Sequence, residues 1–264
     1  MMSRCEMNRV SKDIFKFLLL ATVIPLVCVG IMHVAALSYN SDFIGLVLFG
    51  IQAMAPTLAT VILILRKDSF YGLKAFLKDK YVANISFKLC LLAFIAPMLI
   101  LLASKTIITF CIGSRFQLSI PNATGLLIIL WTLIAEELGW RGYLQEKIEL
   151  KFGMAFTPLI IGVIWGVWHF HYFLIGQMNV AFGLLVLGTI FESYGYFVIT
   201  KLAKGNVLPA SVWHFSGNLF INLFMLNEGL PYLVTTFAYS VCVVIFVCYY
   251  MTMAHNPNFS AHNG

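Results

Sequence analysis

Charge is what this sequence has least of. Only 11% of its 264 residues are charged, against about 25% in an ordinary soluble domain. The deficit excludes a water-soluble fold, because 61% of the residues are hydrophobic and the mean hydropathy is +0.91, more apolar surface than a soluble core of this size hides. Cys-x-x-Cys pairs are absent. The six cysteines (Cys5, Cys28, Cys90, Cys111, Cys242 and Cys248) fall mostly in or beside apolar runs, so they read as packing residues without disulfides. There is no His-Glu-x-x-His, no internal repeat, no low-complexity tract and no stretch polar enough for a soluble domain. Residues 1–264 therefore read as a single membrane domain.

What the sequence does have is long apolar runs. A helix needs roughly 20 mostly apolar residues to cross the hydrocarbon, since only a helix or a closed barrel satisfies its own backbone in lipid. Eight stretches qualify, at about 14–37, 43–65, 85–103, 125–144, 156–175, 180–200, 208–226 and 232–253. They predict an all-α, polytopic transmembrane bundle of about eight helices. The first run follows a basic segment as a secretory signal would, but it exceeds the roughly 7–15 apolar residues of such signals and reads as a retained helix. Pro25, Pro56, Pro97 and Pro158 lie within or near the ends of these runs, where kinks are expected.

The formal net charge of +6 sits in short segments between apolar runs, which is a topological pattern and not a nucleic-acid footprint. Arg4, Arg9, Lys12 and Lys16 precede the first run. Arg66, Lys67, Lys74, Lys78, Lys80 and Lys88 cluster between the second and third. Lys147 with Lys151, then Lys201 with Lys204, mark the later even loops, whereas the odd loops offer only Lys105 and Arg115. Cytosolic loops collect Lys and Arg, so both termini are predicted to be cytosolic. Residues 66–80 interleave basic residues with Phe70, Tyr71, Leu73, Phe76 and Leu77, a pattern that suits either a helix in the headgroup layer or a basic loop. Residues 254–264 read as a short polar tail.

Ionisable side chains at bilayer depth cost roughly 2.5–3.5 kcal/mol each on insertion scales, so each needs a reason. Three places carry them: Glu136-Glu137-Leu138-Gly139-Trp140-Arg141, Trp165-Gly166-Val167-Trp168-His169 and His214-Phe215-Ser216-Gly217-Asn218. Residues four apart on a helix share a face, which pairs Glu137 with Arg141 and leaves Glu136 unpaired. An unpaired carboxylate in apolar surroundings suits a general base that takes a proton from water. His214 and Asn218 share a face of one helix and can donate hydrogen bonds to an oxyanion. His169 can orient the water or shuttle its proton.

Glu136-Glu137-x-x-x-Arg141, Trp165-x-x-x-His169 and His214-x-x-x-Asn218 resemble the three ordered motifs of the CPBP family. That family comprises type II CAAX prenyl endopeptidases, bacteriocin-processing and Abi proteins, and their intramembrane protease relatives. The resemblance covers a core of about residues 125–226, and one departure is Trp165 where the family usually has Phe. It implies an intramembrane endopeptidase in which Glu136 and His169 activate water, His214 and Asn218 form the oxyanion hole, and Glu137 and Arg141 support them. Its implied partners are membrane lipids and a membrane-associated or lipidated peptide substrate, with no nucleic acid. Its implied location is a multi-pass place in a membrane, a bacterial cell membrane ahead of the endoplasmic reticulum. No cofactor is required by this reading. A zinc ion held by Glu136, His169 and His214 is the alternative, weighed against the absence of His-Glu-x-x-His and the poor zinc affinity of an Asn amide.

Other readings stand beside this one. The same polar groups can serve a proton-coupled transporter, although no duplicated half is present, or a catalytically silent membrane scaffold held together by interhelical hydrogen bonds. His171 points away from His169 and reads as a packing residue, and His33, His255 and His262 have no partner in the pattern. Glu192 has two readings, a structural pairing with Arg141 or a lysine, or a place in the site. Gly139, Gly142, Gly162, Gly166 and Gly217 read as close helix contacts. The run 125–144 goes from outside to inside, which predicts a reaction near the cytosolic side.

Overall fold

The computed structural model describes residues 3–113 and 115–254; the tail beyond 254, with His255 and His262, lies outside the described residues. Every apolar run becomes helix and no strand occurs among the described residues. The helices are α1 (Arg4–Val34), α2 (Phe43–Ala53), α3 (Ala55–Leu77), α4 (Phe87–Ile112), α5 (Ala123–Ala135), α6 (Gln145–Phe152), α7 (Thr157–Trp168), α8 (Phe170–Leu174), α9 (Phe182–Leu202), α10 (Leu208–Leu223) and α11 (Gly229–Ala254). Two π-helical turns, Lys78–Val82 and Leu138–Leu144, follow α3 and precede α6. The outer surface is apolar, with Leu19, Val27, Leu91, Phe237 and Ile245 among the exposed side chains, as lipid contact requires. All six cysteines are free.

All eight expected stretches are helical, but they are not equally long or apolar. Six helical stretches are individually long and apolar enough to cross a membrane, and a seventh span arises if α2 and α3, bent by 62° at their junction, are taken as one. The bend has a sequence cause: Pro56 sits in the first turn of α3, and a proline can neither donate its N–H nor leave the preceding residue freely helical. The remaining expected stretch is α10, whose 16 residues reach about 24 Å at 1.5 Å each, short of the roughly 30 Å hydrocarbon. It is the helix that carries His214 and Asn218, and it lies packed among α4, α5 and α9. Segment 66–80 is interrupted at Ser69, whose backbone is non-helical (φ 65°, ψ −175°); Phe70 and Tyr71 beyond it are exposed.

The basic loops gather at one end of the bundle. Lys147 pairs with Asp13 at 3.4 Å, Lys151 donates to Ser11 Oγ at 2.9 Å, Lys201 pairs with Glu149 at 2.6 Å, and Lys80 pairs with Glu146. The Val207 N–H donates to the Lys80 carbonyl at 2.8 Å, tying the loop before α10 to the same end. At the opposite end the Ser119 N–H reaches the Leu223 carbonyl at 2.9 Å.

Candidate active site

The run 125–144 is not one α-helix. It opens at Glu136 (φ −119°, ψ −43°) and continues as the π-helical turn Leu138–Leu144, a local unwinding that recurs at functional sites. Gly139 fits there because its backbone lies against the Pro56 backbone, where a Cβ has no room. Gly162 and Gly166 do the same for α7 against α9, meeting Ile190, Val186 and Thr189. Gly217 departs from the packing expectation: no atom lies within 4 Å of its Cβ position, and it borders a cavity.

Glu136, 4% exposed, is not unpartnered as the helical spacing implied. Its Oε2 accepts hydrogen bonds from the indole N–H groups of Trp165 at 2.7 Å and Trp140 at 3.2 Å. Glu137 and Arg141 form the expected pair, with Nε to Oε2 at 3.2 Å. None of the guanidinium nitrogens makes a hydrogen bond; besides the ion pair, the group is covered by the rings of Trp165 at 5.0 Å and Tyr196 at 4.7 Å, cation–π contacts that suit a buried arginine. The second oxygen of Glu137 meets His214 Nδ1 at 2.9 Å. Sequence spacing missed this bond, because it joins residues 77 positions apart.

His169 Nδ1 lies 2.7 Å from the Trp165 carbonyl. A carbonyl only accepts, so the proton is on Nδ1 and the lone pair is on Nε2. The Trp165 indole packs edge-on against both imidazoles, at 5.3 Å from His169 and 5.6 Å from His214. One cavity of about 130 Å³ is lined by Glu136, His169, His214 and Asn218 together. His171, by contrast, is buried with Nδ1 on the Trp168 carbonyl at 2.7 Å and its ring on Tyr172, a packing residue.

Among the described residues, no group of three His, Cys, Asp or Glu is arranged to hold a metal ion. Glu136 Oε2 is taken by two indoles, His169 Nδ1 by the Trp165 carbonyl and His214 Nδ1 by Glu137, which leaves Glu136 Oε1, His169 Nε2 and His214 Nε2 as the remaining lone-pair positions of the three.

The lining of the cavity reaches Gln177 and Met178 in the loop before α9, at the end opposite the basic loops.

Residues 119–220 match the family model described as type II CAAX prenyl endopeptidase Rce1-like. The chain is 26% identical over 147 residues to CAAX prenyl protease 2 of Methanococcus maripaludis, covering 52% of this chain and 54% of that protein. It is 28% identical over 128 residues to lysostaphin resistance protein A of Staphylococcus epidermidis, covering 45% of this chain and 32% of that protein. The match thus spans about half the length of the first relative and a third of the second. The matched segment holds all three motifs, and the CPBP-type resemblance read from them is borne out.

Proposed function

From this Rce1-like CAAX prenyl endopeptidase segment at residues 119–220, we propose that the chain is an intramembrane endopeptidase that hydrolyses a peptide bond of a membrane-associated or lipidated peptide with a glutamate-activated water. The observation that carries the reading is the single cavity lined by Glu136, His169, His214 and Asn218. In the proposed step a water sits between the free Oε1 of Glu136 and His169 Nε2 and loses a proton to Glu136 as its oxygen bonds to the substrate carbonyl carbon. The resulting oxyanion accepts hydrogen bonds from the Asn218 amide and from His214 Nε2. Since His214 Nδ1 already donates to Glu137, donation from Nε2 needs the doubly protonated ring, which the Glu137 carboxylate stabilises. When the C–N bond breaks, Glu136 returns the proton to the leaving amine. Arg141 holds Glu137 in place.

An apolar groove of about 290 Å³ between α2 and α5 supports the lipidated substrate. It shares Phe49, Ile128 and Trp131 with the cavity around Glu136, so an acyl or prenyl chain lying in it brings its peptide to the carboxylate. No metal takes part in the proposed step, and turnover is expected to survive EDTA. The test is purified protein in detergent incubated with lipidated and unlipidated peptides, with new termini read by mass spectrometry. Cleavage that is lost in His169→Ala and Asn218→Ala supports the proposal. Absence of cleavage, with substrate flux across proteoliposomes instead, replaces it with a carrier.

A further inference from the structure

A second cavity of about 220 Å³ meets the first at His169, His214 and Asn218, and Glu192 stands in its wall. Glu192 makes neither of the pairings its sequence position suggested. Among the described residues it has no ion pair with Arg141 or any lysine, and no hydrogen bond. A carboxylate at this depth without a partner is expensive. Thr235, 3% exposed, lines the same cavity, and its hydroxyl also lacks a hydrogen-bond partner. Buried polar groups are ordinarily satisfied, so the buried Thr235 hydroxyl without a partner, beside the half-buried and unpaired Glu192 carboxylate in the same wall, points to a ligand that completes them. The sign of the charge narrows what that ligand is. Glu228 stands at the mouth with Gln177 and Asn227, no lysine or arginine is among the described residues lining the cavity, and the charge that His214 carries in the proposed step is already paired with Glu137.

We propose that this cavity is a subsite for a positively charged side chain, Lys or Arg, of the peptide substrate, with Glu192 as its counter-ion. The proposal rests on the peptidase reading and refines it. The apolar groove between α2 and α5 takes the lipid or an apolar side chain, the space around Glu192 takes a cation, and the scissile bond lies where the two branches meet. The cationic residue enters from the end of the bundle opposite the basic loops, where Gln177 and Asn227 lie.

The test measures binding, so that it stands apart from turnover. Fluorescein-labelled model peptides, identical except for one Lys, Gln or Glu, are titrated in dodecylmaltoside against the Glu136→Gln protein. The Lys peptide is expected to bind roughly tenfold or more tightly than the Gln peptide, the weight of one hydrogen bond to a charged group. Glu192→Gln is expected to erase the difference, Glu192→Asp to keep it, and Glu192→Lys to turn the preference toward the Glu peptide, each with a melting temperature near that of the parent. A preference that survives Glu192→Gln, or no binding of the Lys peptide, overturns the proposal. Loss of the peptidase reading shows up separately, as turnover by the Glu136→Gln protein.

Discussion

Trp165 supplies the shorter of two N–H donors to Glu136, and its indole separates the two histidines of the site. Trp165→Phe keeps the aromatic contacts and removes the donor. Hydrogen bonds to charged groups contribute about 1.5–3 kcal/mol, so turnover is expected to fall tenfold or more while the melting temperature in detergent changes little; unchanged turnover would contradict the role. Glu137 has a different kind of weight. It is fully buried between Arg141 and His214, and removing one member of a buried charged set leaves the others uncompensated, at a cost of about 3–5 kcal/mol. Glu137→Gln is therefore expected to lower the melting temperature as well as the rate, which a melt and a cleavage assay distinguish from Trp165→Phe. The identities of the four cavity residues were legible in the sequence because charge and imidazole are rare in apolar helices. Their partners were not. Trp165 enters the sequence reading only as the first residue of a motif and Trp140 has no role there, although an indole N–H must find an acceptor when buried, and the bond from Glu137 to His214 crosses between helices where no periodicity reaches.

At the level of elements, the four-residue spacing of Glu137 and Arg141 was read on an ideal helix, and the pair formed although the backbone there is π-helical. The break itself left one trace in the sequence, Gly139, whose meaning depends on Pro56 lying against it. Gly139→Ala is expected to cost about 1–3 kcal/mol through overpacking and to lower turnover by moving Glu136. Gly30→Ala, in α1 with nothing within 4 Å of the new methyl, is expected to be neutral or slightly stabilising; equal melting temperatures for the two variants would contradict the account. The bend before α3 was signalled by Pro56, whereas the shortness of α10 was hidden because Phe224 and Leu226 continue its apolar pattern after the helix has ended.

For the whole molecule, alternation of basic and non-basic loops matched the gathering of the basic loops at one end, since loops that share a side of a helical bundle must meet. What the alternation did not reveal is which way the site opens, because that depends on the side on which bulky groups fill the space between helices. Gln177 and Met178, in the loop away from the basic end, line both cavities of the site. If the basic end faces the cytosol, the mouth faces away from it. In a cysteine-free background, Asn227→Cys is expected to react with a membrane-impermeant maleimide in intact cells, and Lys204→Cys only after permeabilisation; the reverse pattern would place the mouth in the cytosol.

The central claim is that Glu136 activates the attacking water. Its most direct measurement is single-turnover cleavage by Glu136→Gln beside the unmodified protein, with both melts recorded. The amide oxygen can still accept from Trp140 and Trp165, so the fold is expected to persist while the rate falls by roughly 10²–10⁴-fold, the range of a lost general base. A folded Glu136→Gln protein that cleaves at an undiminished rate would contradict it.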